Sequence, residues 1–362
     1  MRYPIRYLIF FMPFIVALVI ELFVLPIDQF TFRVWESLIT KRSFGILTGP
    51  FYPNMSVRKM EEGELAYYTP CAVKKDVMWI TDKYGYRRAN SSEHKYPVVI
   101  IGDSNIAGSG LTQEDLLSET LQKKLGTVVY PLSPERINSI FDHKVFAHSV
   151  PEIVILASVE RGIPSGLTRI EKKRFEKPSP WKKFLSLIQL NSPIQHVAVF
   201  FDRTFKANML NYLRARINKL GPSLPEGIDK SNCPLFYARS QSTKQENMDK
   251  RYEQSIARIK GYNDFFESKG IRFIFLPIPD SVAVYHEALN LKKPEFLGKL
   301  VKGLQELNVE VVDTDKTFHE FYQKTREPLY QEDDTHWNAL GVKIAAGLLA
   351  DQIQNKPAST SR

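Results

Sequence analysis

From Tyr96 onward the sequence alternates short, nearly all-apolar runs with longer amphipathic ones, and few folds accommodate that rhythm. "YPVVIIG" precedes "TQEDLLSETLQKKLG", "TVVYPLS" precedes "PERINSIFDHKVFAHS", and "PEIVILASVE" follows. After an interruption "MDKRYEQSIARIKGYNDFFESKG" leads into "IRFIFLPIP", then "NVEVVDT" and a last helix over about 338–354. A strand that is apolar at every position must be covered on both faces, which is the condition of a parallel sheet between two helical layers. The expected fold class is therefore α/β, a three-layer α/β/α domain with a central parallel sheet. Thr112 stands where an N-cap would precede "QEDLL", and Gly126 where a left-handed C-cap would close the same helix. With 43% hydrophobic and 25% charged residues, the 362-residue chain can build its core without metal or disulfide staples.

Ahead of this domain, Leu8 to Leu25 form an eighteen-residue apolar run with a single charge, Glu21. At 1.5 Å per helical residue such a run nearly spans a hydrocarbon core of about 30 Å. Arg2 and Arg6 precede it, so the positive-inside bias keeps that end cytoplasmic and turns the rest of the chain outward. A cleaved signal peptide is the competing reading, but the run is long for one and "LPIDQFTFRVW" offers no small-x-small site. The expectation is an N-terminal transmembrane helix over residues 1–27, a juxtamembrane segment and lead-in over 28–95, the α/β domain over 96–354 and a tail over 355–362. Cys71 and Cys233 have no metal-ligand spacing; pairing and two separate buried thiols both remain open.

The alternation breaks over 163–248, which reads as a basic helical insertion into the domain. Between Arg161 and Gly221 there are thirteen Lys or Arg and three acids, a balance of 13 − 3 = +10 that exceeds the net charge of +9 of the whole chain. A membrane-proximal surface, an anionic-substrate face and a plain solvated helical face compete here. An outward-facing chain with no recognition motif excludes nucleic acid as the partner.

Ligands of open parallel sheets bind beyond the carboxyl ends of the strands, and Ser104 in "VVIIGDSN" lies at such an end. A serine on a strand-to-helix turn exposes its hydroxyl for attack while nearby backbone amides face a developing oxyanion; here those of Ser104 and Asn105 are the candidates. The turn is not a G-x-S-x-G elbow, because Asp103 follows Gly102. A base stands near the other end of the chain in "QEDDTHWNALG": His336 could take the Ser104 proton, with Asp334 or Asp333 fixing the imidazole. His94, His143, His148, His196, His286 and His319 show no ligand spacing, and no metal or other cofactor is expected.

Taken in order, "VVIIGDSN" and "DDTHW" resemble the first and last blocks of the SGNH (GDSL-like) hydrolase superfamily. "DTHWNALG" is similar to the D-x-H-W block of its membrane-associated alginate and exopolysaccharide O-acetyltransferase branch. "TDKYGYRRA", "ILASVERG" and "PIPDSVAVY" resemble further segments of that branch, and the likeness covers roughly 80–350. Ser281 stands where a Lys is usual, and the superfamily's glycine and asparagine oxyanion blocks are not evident.

The resemblance implies Ser104 as nucleophile, His336 as base and Asp334 as orienting acid. Asn105, Arg161 and Tyr285 are the residues considered for the oxyanion or substrate side, although Arg161 reads first as a salt-bridge partner of Glu160, with an anionic sugar as its other partner, and Tyr285 first as a packing residue. The resemblance further implies a polysaccharide acceptor, a membrane-bound partner delivering the acyl group, and a single-pass inner-membrane protein whose catalytic domain faces the periplasm or the cell exterior. A carbohydrate esterase and a non-catalytic scaffold of a polysaccharide export complex are the alternatives.

Overall fold

The computed structural model describes residues 3–24, 31–41, 45–63, 72–90, 93, 95–147, 149–171, 175, 179–206, 208–220 and 251–355. Cys71 and Cys233, with their open pairing, lie outside the described residues, as do residues 221–250 of the expected insertion.

Four parallel strands form the centre: β3 (Val98–Ile101), β4 (Val129–Leu132), β5 (Ile153–Val159) and β6 (Arg272–Ile278), in the order β4-β3-β5-β6. Every residue of β3 and β4 is buried, as the unbroken apolar runs require. Alternate residues feed two separate cores, because successive side chains of a strand point to opposite faces. On one face Val99, Ile101, Val154 and Phe273 pack with α8 (Tyr252–Glu267) and α10 (Phe296–Glu306) through Ile259, Phe266 and Leu300. On the other, Val98, Ile100, Ile155 and Ile274 meet α4 (Leu117–Leu125) and α12 (Ala339–Asn355) through Leu121, Val342 and Leu349.

Three elements differ from the sequence reading. The run at 309–312 pairs at a single parallel bridge, Phe275 with Val311, and Asp313 then caps α11 (Thr314–Thr325), which leaves no length for a strand. The stretch 134–149 was expected as one helix. It gives only one turn at Ser139–Asp142 and a 3-10 turn at Lys144–Ala147, between which His143 packs among Tyr84, Tyr86, Tyr130 and Phe146. Thr112 does not cap a helix with its side chain; its hydroxyl accepts the Met78 amide instead, at 3.1 Å. Gly126 does end α4 in the left-handed conformation.

The lead-in is structured. An antiparallel hairpin, β1 (Ser56–Glu61) with β2 (Lys75–Ile80), joins α2 (Val34–Leu38) in a third core of Val34, Leu38, Phe51, Tyr52, Val77 and Trp79. Asp82 closes the next turn by accepting the Tyr84 and Tyr86 amides and the Tyr130 hydroxyl, each at 2.9 Å. Burial pushes its pKa up to about 6. Arg87, wholly buried, stacks 3.6 Å over the Trp79 ring and donates to the carbonyls of Ala107 (3.0 Å) and Met78 (2.9 Å). The lead-in thereby grips the turn that follows β3.

The N-terminal helix α1 (Tyr3–Val19) continues as a wider turn over Ile20–Val24. The 21 residues Pro4–Val24 are long and apolar enough to cross a membrane, and their large side chains point outward rather than into a core. In the basic region lie α5 (Pro180–Gln189), α6 (Ser192–Lys206) and α7 (Asn208–Leu220).

Candidate active site

Strand β3 ends at Gly102, where any side chain would collide with Ile106 at 2.4 Å and crowd the Ala157 carbonyl at 3.1 Å. The chain turns there into a four-residue helix, α3 (Ser104–Ala107), ended by Gly108 at φ 76°, a left-handed value that favours glycine. Asp103 is the N-cap: its Oδ1 accepts the Asn105 amide at 2.8 Å, and its Oδ2 accepts the Val159 amide of β5 at 3.1 Å. The acid in "GDSN" therefore ties the turn to the neighbouring strand, and leaves Ser104 exposed at the sheet's carboxyl end.

Loop 331–337 brings the second half. His336 Nε2 lies 2.7 Å from Ser104 Oγ, and His336 Nδ1 lies 2.6 Å from Asp334 Oδ1. Burial works against ionisation of Asp334, but the attraction and hydrogen bond of His336, with Arg33 and Lys75 behind, outweigh it and hold its pKa below the ordinary carboxylate range. An ionised carboxylate only accepts, so Nδ1 carries the proton and Nε2 is left to accept from the Ser104 hydroxyl. Trp337, fully buried, donates from Nε1 to the Asn105 carbonyl at 3.2 Å and so links the loop to α3.

The neighbouring acid has a different task. Asp333 Oδ2 accepts the amides of Gly63 (2.7 Å) and Val73 (2.8 Å), and its Oδ1 pairs with Lys75. Lys75 also donates to Gln331 at 2.9 Å, and Gln331 Nε2 reaches the Ser109 carbonyl at 2.7 Å. Arg33 Nη1, just beyond the N-terminal helix, stands 3.6 Å from Asp334 Oδ2. None of these lead-in partners was foreseen, because each is separated from the loop by hundreds of residues and no local pattern marks it.

Three of the anticipated roles change. The Asn105 amide was expected to face an oxyanion, but Asp103 already occupies it, which leaves the Ser104 amide of the two. Arg161 does not pair with Glu160. Its Nη1 binds Asp280 and its Nη2 reaches Thr335 Oγ1 at 3.3 Å, which ties a half-buried guanidinium to the residue before His336. Glu160 lies beneath it, accepting the Asp280 amide at 3.0 Å; burial and the nearby Asp280 charge push its pKa up. Tyr285 takes its packing role rather than the substrate-side one: it is 3% exposed and its hydroxyl accepts the amides of Leu329 (2.9 Å) and Tyr330 (3.2 Å).

A cavity of about 540 Å³ opens beside the turn, lined by Gly102, Asp103, Pro134, Ser158, Val159 and Gly162 among others, within the size range of small-ligand sites. Ser104 borders it through Asp103 without being part of the lining. Separately, the residues just after α9 (Ser281–Tyr285) and α11 bring His286, Glu287 and His319 together, with ligand atoms within 4.8 Å of one another. Their spacing in sequence had hidden this. That group shares no residue with the Ser104 site.

Residues 235–362 match a family described as the SGNH hydrolase-like domain of acetyltransferase AlgX. Over that span the chain is similar to SGNH hydrolase-like domains, which supports the likeness to the alginate O-acetyltransferase branch. The matched span holds Asp334 and His336; Ser104 lies outside it. Over 109 residues the chain is 24% identical to a probable alginate O-acetylase, AlgJ, of Pseudomonas putida, a stretch covering 29% of this chain and 28% of that relative. No solved structure matches.

Proposed function

We propose that this protein is a membrane-anchored serine O-acyltransferase that places acetyl groups on hydroxyls of an extracytoplasmic polysaccharide. The observation that carries the reading is the continuous chain Ser104 Oγ to His336 Nε2 (2.7 Å) and His336 Nδ1 to Asp334 (2.6 Å), with the serine open to solvent. In the first half-reaction Ser104 Oγ bonds to the acyl carbon of the donor ester as its proton passes to His336, which then protonates the departing alkoxide. In the second, His336 takes the proton of a sugar hydroxyl, that oxygen bonds to the acyl carbon, and the Ser104 oxygen leaves and recovers the proton. Asp334 stays ionised throughout and stabilises the imidazolium. The Ser104 amide and the Arg161 guanidinium are the groups assigned to the oxyanion or to the substrate. The cavity beside Asp103 is where the acceptor would bind.

The acetyl group and the glycan come from the likeness to AlgX and AlgJ; the residues themselves specify acyl transfer. The apolar helix at Pro4–Val24 and the arginines before it support a single inner-membrane pass with the domain in the periplasm, and a membrane-bound partner would supply the acyl group. An esterase shares the first half-reaction and differs only in accepting water. Purified protein given an activated acetyl ester with and without an acidic oligosaccharide distinguishes the two. Acetylated sugar lost in Ser104→Ala supports transfer; acetate alone, whatever the acceptor, rejects it.

A further inference from the structure

We infer that α5–α7 form a lipid-docking platform that lays the domain flat on the bilayer holding α1. The inference rests on α1 being the anchor, as proposed above. Helix α6 has two apolar-compatible faces with opposite fates. One is fixed to the lead-in: Ala198 is buried, Gln195 accepts from Asn54 at 2.9 Å and donates to the Lys83 carbonyl at 3.0 Å, and Asp202 accepts the Tyr52 hydroxyl at 2.9 Å. The other carries Val197, Phe200 and Phe201 at i, i+3 and i+4, all exposed. That stripe has the spacing of a core-facing helix and no core to face.

Its neighbours repeat the pattern. Helix α5 exposes Trp181 (66%), Phe184 and Leu187 (72%), and α7 exposes Leu210, Leu213 and Ile217. Segments 183–189 and 192–204 are together apolar enough for a membrane span, but they bend by 67°. The buried polar contacts of Gln195 and Asp202 hold the second segment along the protein surface, which suits a helix lying in the interface rather than crossing it.

Two observations single out lipid as the occupant. The apolar stripe is continuous with the end of the N-terminal helix: the rings of Phe23 and Phe200 are 6.0 Å apart, and Arg203 donates to the Glu21 carbonyl at 3.2 Å. Phe200 therefore sits at the depth where α1 leaves the bilayer. On the flanking helices, exposed Lys183 and Arg214 belong to the stretch of thirteen basic and three acidic residues, the complement of anionic headgroups.

The test uses the full chain with a protease recognition sequence placed within 25–30, reconstituted into vesicles of phosphatidylethanolamine and phosphatidylglycerol. After cleavage the body should remain on the vesicles. Trp181→Glu, Phe184→Glu and Leu187→Glu combined, all exposed positions, should cut retention about tenfold or more with an unchanged circular dichroism spectrum. Bromine-labelled lipids should quench the wild-type emission more than that of Trp181→Phe. Release of the wild-type body on cleavage overturns the platform. Retention on native membranes but not on pure lipid overturns it in favour of a protein partner. Uncleaved chain that fails to enter vesicles overturns the anchor instead.

Discussion

The two halves of the Ser104–His336 pair are held in place by opposite means. The turn at 102–108 takes its shape from its own residues, with Asp103 capping α3 and Gly102 and Gly108 permitting the bend, and Arg87 of the lead-in only braces its far end at Ala107. The loop at 331–337 is fixed by remote ones: Asp333 is tied to Gly63, Val73 and Lys75, and Asp334 has Arg33 behind it. The proposed nucleophile is thus set by a short local motif. The orientation of its base depends on the lead-in folding against the sheet domain, so damage far from the chemistry should reach the histidine side first.

Breaking the nucleophile itself should have the largest effect. Ser104→Ala is expected to lower kcat for acetyl transfer by on the order of 10⁶-fold with stability unchanged, checked by steady-state kinetics and thermal melting. Asp334→Asn should cost about 10⁴-fold, because the amide can no longer hold the productive tautomer.

Its neighbour should respond differently. Asp333→Asn leaves the Lys75 charge with Gln331 alone and is expected to cost about 2–4 kcal/mol of stability, seen in chemical denaturation, while the protein that remains folded keeps most of its kcat. Equal loss of kcat in the two variants would erase the distinction between the two acids. Arg33→Met is expected to reduce kcat roughly three- to tenfold. Its diagnostic is acid stability: without the guanidinium Asp334 binds its proton more readily, so the stability lost as pH falls through its folded pKa should be gone at a higher pH than in the wild type, seen in melting curves at low pH.

The smallest effect is on the lead-in. The pKa of Asp82 is about 6 in the folded chain against 3.8 ordinarily, so its contribution is full below the lower value and is lost as pH rises through the upper one. Asp82→Asn keeps an acceptor for the Tyr84 and Tyr86 amides. Its stability measured between pH 4 and 7 should lack that part of the wild-type decline.

The legible parts of the sequence were those whose physics is local. Apolar runs such as "VVII" and "IVIL" identified the buried parallel strands, and a serine after one of them with a histidine before the last helix named the pair that folding joins. The hairpin β1/β2 escaped because "SVRKME" and "KDVMWI" leave one face half-exposed and polar, so neither run shows a core strand's composition. The choice between Asp333 and Asp334 could not be read either, since it is settled by partners about 260–300 residues away. The insertion holding α5–α7 was visible as a basic helical stretch, but which face of α6 the core would use depended on where Gln195 and Asp202 found partners.

The most direct measurement is peptide mass spectrometry of the protein after incubation with an activated acetyl ester. The account predicts an acetyl group on Ser104 that accumulates without acceptor, discharges when oligosaccharide is added, and is absent in His336→Ala. Acetylation that never appears on Ser104, or that forms equally well without His336, would contradict it.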